Sequence, residues 1–290
     1  NMPPGGNEGL VDADYLAITA HILNTNGVDA ITAAITTTTE FKIAENASAQ
    51  LANRQRSEPP APEGITVAGN VDDFVPFVPI TDAILESPDP ADWPMIRRSY
   101  DAHSYSPLDQ IDTANVGNLS LEWVWNMHEG DSEPSPLVYK GIIYLINPGN
   151  VIQALDGKTG ELIWEHWTGP ANRQDMRNIA IYDDKIIQAT TDARLVALDA
   201  RTGKKVWETA VADNTQGFEN SSGPIVADGR VILGLAGCAR YIKDDCYISA
   251  HDANTGELAW RFNTIAKANE PGGDTWGELD DIFRAGGETW

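Results

Sequence analysis

The residues of this chain able to do chemistry are few and far apart. Cys238 and Cys246 are the only cysteines, separated by seven residues that include the charged run Lys243-Asp-Asp. Such a pair forms a local disulfide in an oxidising compartment or stays as two free thiols. With no His beside it, the pair is not a zinc site. Glu133, Arg177 and Ser221 stand just ahead of strand-like runs. Taken singly, they read as a solvated carboxylate, a surface cation and a turn hydroxyl.

The elements that must position these residues announce themselves by repetition. Ala154-Leu-Asp-Gly-Lys-Thr-Gly-Glu-Leu-Ile-Trp164 recurs as Ala197-Leu-Asp-Ala-Arg-Thr-Gly-Lys-Lys-Val-Trp207 and as Ala250-His-Asp-Ala-Asn-Thr-Gly-Glu-Leu-Ala-Trp260. Asp156 and Asp199 are 43 residues apart, and Asp199 and Asp252 are 53 apart. A period of about 40–50 residues with one Trp per unit is the mark of a β-propeller. The Asp-x-x-Thr-Gly core reads as a tight hairpin turn, with Gly at positive φ and Asp folding back onto backbone amides. The small Ala leaves room for a ring, and the Trp is that ring.

Bulk properties narrow the class of partner. The formal net charge of −23 argues against nucleic acid, whose phosphates such a surface repels. It favours solubility and suits a cationic redox partner. No run of about 18 apolar residues is present, so no membrane span is expected. The chain starts at Asn1 and stops at Trp290, shortly after a Gly-Gly pair, and reads as an internal piece of a longer protein. No signal peptide is visible to settle the compartment.

Three segments differ in character. Residues 1–28 hold Met2-Pro-Pro-Gly-Gly and then the one strong helical signal. Asp12 can cap that helix, Leu16, Ala20 and Leu23 share a face, and Asn26-Gly27 ends it. Residues 29–91, with Thr36 to Thr39 and Pro59-Pro-Ala-Pro-Glu-Gly, show no period and read as a linker draped over something, with at most one marginal helix. Residues 92–290 turn aromatic and β-branched. Strand-like runs there are Leu121–Asn126, Leu137–Ile146, Ile179–Ala189, Arg194–Leu198, Pro224–Leu235 and Tyr247–His251, with turns at Asp183-Asp-Lys and Asp228-Gly-Arg. The expected fold is therefore mainly β: about four blades, half of a larger ring.

Residues 92–290 resemble the quinoprotein alcohol dehydrogenases, eight-bladed propellers that hold pyrroloquinoline quinone (PQQ) on the central axis. The resemblance rests on the three repeats, on Pro271-Gly-Gly-Asp-Thr-Trp276 and on Gly286-Gly-Glu-Thr-Trp290. Non-enzymatic assembly propellers share the repeats, so the last two motifs are what favour the enzymes. Residues 1–28 are similar to the end of a c-type cytochrome, with Met2 at the position of the axial haem ligand. The haem-attaching Cys-x-x-Cys-His would then lie upstream of Asn1.

The resemblance implies a cofactor cradle residue by residue. Glu133 matches a carboxylate that helps hold the quinone. Arg177 matches an arginine paired with an acidic group of PQQ, whose three carboxylates suit a planar cationic fork. Ser221 sits where the family has a Thr hydroxyl, Ala236 and Gly237 lie on the segment closest to the cofactor, and Trp290 matches the indole stacked on the quinone. One departure stands out. The family carries a Glu that ligates Ca²⁺ here, but this chain reads Gly237-Cys-Ala-Arg-Tyr, so its metal ligands are unknown, with Asp244 and Asp245 nearby. The family's catalytic Asp would lie beyond Trp290.

These features imply a periplasmic enzyme that oxidises a small alcohol or a polyol, polyvinyl alcohol included, and passes electrons to a fused haem c or onward to a cytochrome or oxidase. The competing reading is a propeller scaffold for outer-membrane protein assembly, and a propeller sensor domain of a kinase comes third. Both competitors would use the repeats but have no need of Glu133, Arg177 or an axial Trp290.

Overall fold

In the computed structural model the repeated turns form as their residues require. The Asp156 side chain accepts from the Lys158 backbone N–H at 3.1 Å and from the Thr159 hydroxyl at 2.6 Å, and Gly160 N–H closes the turn on the Asp156 carbonyl at 2.8 Å. Asp199 and Asp252 make the equivalent bonds to the amides of Arg201 and Thr202, and of Asn254 and Thr255. Gly160, Gly203 and Gly256 sit at φ 74°, 68° and 75°, a region that only Gly enters freely. The structure describes residues 63–130, 133–169, 177–238, 246–284 and 287–288, all in a unit that begins at Ala61. Met2, the helix expected over 10–26, the linker up to residue 62, Asp244, Asp245 and Trp290 lie outside the described residues.

Three antiparallel sheets follow one another along the chain. The first blade comprises β2 (Leu137–Tyr139), β3 (Ile142–Asn147), β4 (Val151–Asp156) and β5 (Leu162–Trp167). The second comprises β6 (Ala180–Tyr182), β7 (Lys185–Ala189), β8 (Arg194–Asp199) and β9 (Lys205–Ala210). The third comprises β10 (Ile225–Ala227), β11 (Arg230–Leu233), β12 (Tyr247–Asp252) and β13 (Leu258–Asn263). Each is ordered by sequence, as hairpin-linked neighbours must be. The register is the same in all three: Ala154 faces Trp164, Ala197 faces Trp207 and Ala250 faces Trp260, each followed by a bulge.

The tryptophans join blade to blade. Trp164 Nε1 donates to the Ala200 carbonyl at 3.1 Å and Trp207 Nε1 to the Ala253 carbonyl at 3.2 Å. Each ring lies over the turn glycine of the next blade, where a Cβ would come within 2.6 Å of Trp164 at Gly203 and 2.7 Å of Trp207 at Gly256. The repeat glycine is thus fixed twice, by its φ and by the ring above it. Trp123 does the same thing ahead of the first blade, donating to the Gly157 carbonyl at 3.2 Å and lying over Gly160. Three blades are complete among the described residues, where the repeats imply about four. Leu121–Asn126, expected as a strand, pairs with no strand among the described residues and lies against the first blade through Trp123 and Trp125.

The segment expected to be linker up to residue 91 differs from Gly64 onward. β1 (Gly64–Val67) adds a fifth strand to the first blade, antiparallel to β5, with Gly64 opposite Trp167. Glu165 of β5 receives the Thr66 hydroxyl there. Although burial pushes its carboxyl up, donors from Thr66, Trp167, Gln153 and His128 hold it below the usual carboxylate range.

The chain then crosses the turn end of all three blades. Val71 N–H reaches the Arg201 carbonyl at 2.9 Å, and Ile80 exchanges two 2.8 Å bonds with Asp183. A short helix, α1 (Asp82–Glu86), capped by Thr81, presents Asp82 to Tyr182 and to the Asp228 amide, both at 2.7 Å. Trp93 bridges Val138, and Tyr100 donates to the Val226 carbonyl at 2.8 Å. Val71, Ile80 and Leu85 are 1% exposed in the same core as Tyr144, Trp164 and Leu198. They are spaced irregularly because each fills a separate slot, so no helical or strand period betrays them.

Candidate functional site

The opposite end of the sheets carries the loops that lead into the first strand of each blade. In a propeller those first strands lie nearest the axis, so their lead-ins converge there. Here successive lead-ins are hydrogen-bonded in series: Ser135 N–H donates to the Arg177 carbonyl at 2.9 Å, and Arg177 N–H to the Ser221 carbonyl at 3.1 Å. Ile181 and Val226, just inside, are buried and anchor the lead-ins to the cores.

This belt brings three of the anticipated residues together. Arg177 Nε lies 2.7 Å from Glu133 Oε2, and Arg177 Nη1 lies 3.5 Å from Ser221 Oγ. They are 44 residues apart or more in pairs drawn from three different blades, so the fold rather than local sequence assembles them. Arg177 and Glu133 are 36% and 51% exposed, and a pair this open to water contributes about 0–1 kcal/mol to stability. A site of this kind is more useful to a ligand than to the fold.

Ala236 and Gly237 arrive by a different route. Ala236 pairs with Glu219, two residues ahead of Ser221, through bonds of 2.9 and 3.2 Å. Gly237, at φ 92°, passes so close to the Gly217 carbonyl that a Cβ would sit 2.0 Å from that oxygen. Cys238 and Cys246 form a disulfide with Cα atoms 5.3 Å apart, which pins the end of this segment to the start of β12. Ala236 and Gly237 thus join the Ser221 loop through Glu219 and Gly217. Met2 and Trp290 lie outside the described residues.

Two participants escaped the sequence reading. Glu288 accepts the Gly237 N–H at 3.1 Å, which attaches the Gly-Gly-Glu-Thr-Trp motif to the Ala236-Gly237 segment. Its position inside that motif was the available signal. Asn178 is 2% exposed and donates to the Pro224 carbonyl at 2.8 Å, a second rung between the Arg177 and Ser221 loops. Only its place next to Arg177 hinted at this. As for a metal, no three His, Cys, Asp or Glu side chains come together among the described residues.

Sequential four-stranded sheets, Trp-to-turn docking and a polar belt at the strand starts define a β-propeller. Residues 93–290 match the family model described as "PQQ: Glucose/ethanol/alcohol dehydrogenase, beta-propeller domain". The chain is 33% identical over 222 residues to the quinohemoprotein alcohol dehydrogenase ADH-IIG of Pseudomonas putida, covering 70% of this chain and 31% of that protein. It is 36% identical over 210 residues to the dehydrogenase subunit of a quinone alcohol dehydrogenase of Gluconobacter oxydans, covering 67% of this chain and 27% of that protein.

Among solved structures, that of ADHIIG from Pseudomonas putida HK5 superposes with a TM-score of 0.60 at 32% identity, over 66% of this chain and 30% of that one. A europium-containing methanol dehydrogenase gives a TM-score of 0.58 at 29% identity, over 65% of this chain and 34% of that one. The chain belongs to the β-propeller family of PQQ-dependent alcohol dehydrogenases. It spans about a third of the length of these relatives.

The residues present fit the group the family implies. A planar guanidinium with a hydroxyl 3.5 Å away suits a carboxylate on a flat molecule. The buried Asn178 rung fixes the distance between the two loops that carry those groups.

Proposed function

We propose that the protein to which this chain belongs oxidises an alcohol with PQQ held at the belt of Glu133, Arg177 and Ser221. PQQ, when bound, supplies the two-electron acceptor for the substrate's hydride. The chain's own residues bind and orient. Arg177 faces a carboxylate of the cofactor, with Glu133 holding the guanidinium in place through Nε. Ser221 offers its hydroxyl to the same region, and Gly237 brings backbone close to it without a side chain in the way, with Ala236 adding only a methyl. Trp290, outside the described residues, is assigned by resemblance to the indole that stacks on the quinone.

The observation that carries this reading is the meeting of Glu133, Arg177 and Ser221 from three blades, together with the family match over residues 93–290. Titration of the full-length protein with PQQ, followed by tryptophan quenching and a dye-linked alcohol panel, tests it. Saturable quenching with alcohol-dependent dye reduction is the expected result. Quenching unchanged in Arg177→Leu would remove Arg177 from the site.

The finer assignments are a haem c liganded by Met2, a periplasmic location, and a small alcohol or polyol as substrate. The relatives named as quinohemoproteins favour the first, and the Cys238–Cys246 disulfide favours an oxidising compartment. Calcium is the metal proposed for the site by resemblance, and no role is assigned to it in the chemistry here. Met2→Ala in the full-length protein should lower the haem potential and slow quinone-to-haem transfer while dye-linked oxidation holds. Equal loss of both would mean that Met2 serves folding and not the haem.

A further inference from the structure

The two junctions between the blades are built on one plan with different residues. At the first junction, His166 of β5 is buried and its Nδ1 donates to the Gly203 carbonyl across the gap at 2.6 Å. Leu198, on the facing strand β8, is fully buried. Arg194 of the second blade reaches back to the Thr168 carbonyl at 3.0 Å and is neutralised by Asp192 and Glu208. That junction is filled and charge-balanced.

At the second junction each of these positions changes. Thr209 stands where His166 stood, two residues after the blade's Trp, and is too short to cross. His251 stands where Leu198 stood. Its Nδ1 donates to the Gly256 carbonyl at 3.0 Å, so in the neutral ring Nε2 accepts the Ser249 hydroxyl at 3.2 Å. Burial holds this His below its ordinary value and so keeps it neutral. Tyr247 replaces Arg194 and donates to the Val211 carbonyl at 2.6 Å, the counterpart of the Thr168 carbonyl. Arg261 replaces Glu208 and lies 3.6 Å from the centroid of the Tyr247 ring.

The exchange leaves a cavity of about 170 Å³ lined by Thr209, Val211, Tyr247, His251, Leu258 and Arg261. Both walls belong to described blades. Among the described residues no carboxylate pairs with Arg261, whose Nε donates only to Asn263 at 3.2 Å. Arg194 and Arg230, on the same two blades, each pair with a carboxylate instead. A cation held by an aromatic face at the mouth of a partly apolar cavity is the chemistry of an anion site. A space of about 150 Å³ accommodates a molecule the size of benzene.

We propose that this inter-blade cavity binds a small organic carboxylate, with its charged end on Arg261 and the Thr209 hydroxyl and its body against Val211, Leu258 and the flat side of His251. The site lies on the rim between the second and third blades. It does not depend on the quinone reading, and its occupancy can be measured without cofactor.

The test is calorimetric titration of the full-length protein with benzoate, beside benzyl alcohol and inorganic phosphate, in the unmodified chain and in two variants. Benzoate should bind one saturable site, with benzyl alcohol and phosphate about tenfold weaker or worse. Arg261→Gln should weaken benzoate about tenfold by removing the charge. Thr209→Met, which fills the cavity with a flexible apolar side chain, should abolish binding. Benzoate binding that is absent, that is matched by benzyl alcohol or exceeded by phosphate, or that survives both variants, overturns the proposal. Because the unmodified protein gives the first three outcomes, a variant that fails to fold leaves the proposal open to refutation.

Discussion

At the turn end of the sheets, residues 70–100 make backbone and side-chain bonds to every blade, with Val71, Ile80 and Leu85 buried beneath them. At the lead-in end the blades meet through main-chain rungs at Ser135, Arg177 and Ser221, the Asn178–Pro224 rung and the Arg194–Thr168 bond, topped by an exposed ion pair. One end is held by dispersed, redundant contacts with dry apolar anchors. The other presents charge and hydroxyl groups whose bonds to one another are weak enough to be exchanged. The contrast separates a covered end, where apolar anchors carry the packing, from an open end that keeps an ion pair the fold scarcely needs.

Substitutions at the two ends should therefore separate stability from binding. The largest loss of stability is expected from Leu85→Ala, about 2–5 kcal/mol by denaturant unfolding, because a fully buried leucine leaves a cavity in a core shared by strap and blades. A loss under about 1 kcal/mol would mean that the strap merely lies on the blades. Asp82→Ala should cost about 1–2 kcal/mol, since it removes the acceptor of both Tyr182 and the Asp228 amide.

A smaller, pH-dependent effect is expected at Asp199, whose turn supports the Val71 contact. Burial pushes this carboxyl up, but Arg201 and Thr202 outweigh it and hold the folded value below the ordinary one. A lowered folded value means that the stabilisation is full above about pH 4, the unfolded value, and disappears as pH falls through the folded one. The melting-temperature gap between the unmodified chain and Asp199→Asn should accordingly shrink on acidification below about pH 4. A gap that widened there would reverse the sign of the argument. The smallest stability effect belongs to Arg177→Leu, under about 1 kcal/mol. Paired with a clear loss of PQQ affinity, it would complete the contrast between the ends. A loss as large as that of Leu85→Ala would dissolve it.

The blades were legible in the sequence because each repeat must solve the same local problem. Asp, Thr and Gly make the turn, and Ala and Trp make the docking. The partners of Glu133 were legible only through resemblance, since Arg177 and Ser221 meet across blades and nothing local requires it. Trp123 was missed as a member of the repeat because no Asp-x-x-Thr-Gly turn precedes it, though it docks on Gly160 just as Trp164 docks on Gly203. The strap was hidden for the opposite reason. Ile80 and Leu85 are single anchors in irregular backbone, and anchors of that kind have no period.

The strap also sets a timetable. Asp82 is bonded to the Asp228 amide 146 residues later, and Tyr100 to the Val226 carbonyl 126 residues later. At a synthesis rate of about 5–20 residues per second, Asp82 emerges roughly 7–30 s before its last partner exists. Ile80 and Leu85 can bury themselves fully only when the second and third blades stand beneath them, so the first part of this domain to appear is among the last to find its place. A stretch that must wait so long with apolar anchors exposed is well served by many acidic neighbours. Between Glu63 and Asp101 the chain carries Asp72, Asp73, Asp82, Glu86, Asp89 and Asp92 against two arginines, Arg97 and Arg98. Like charges of that density keep nascent chains from finding one another before each has found itself.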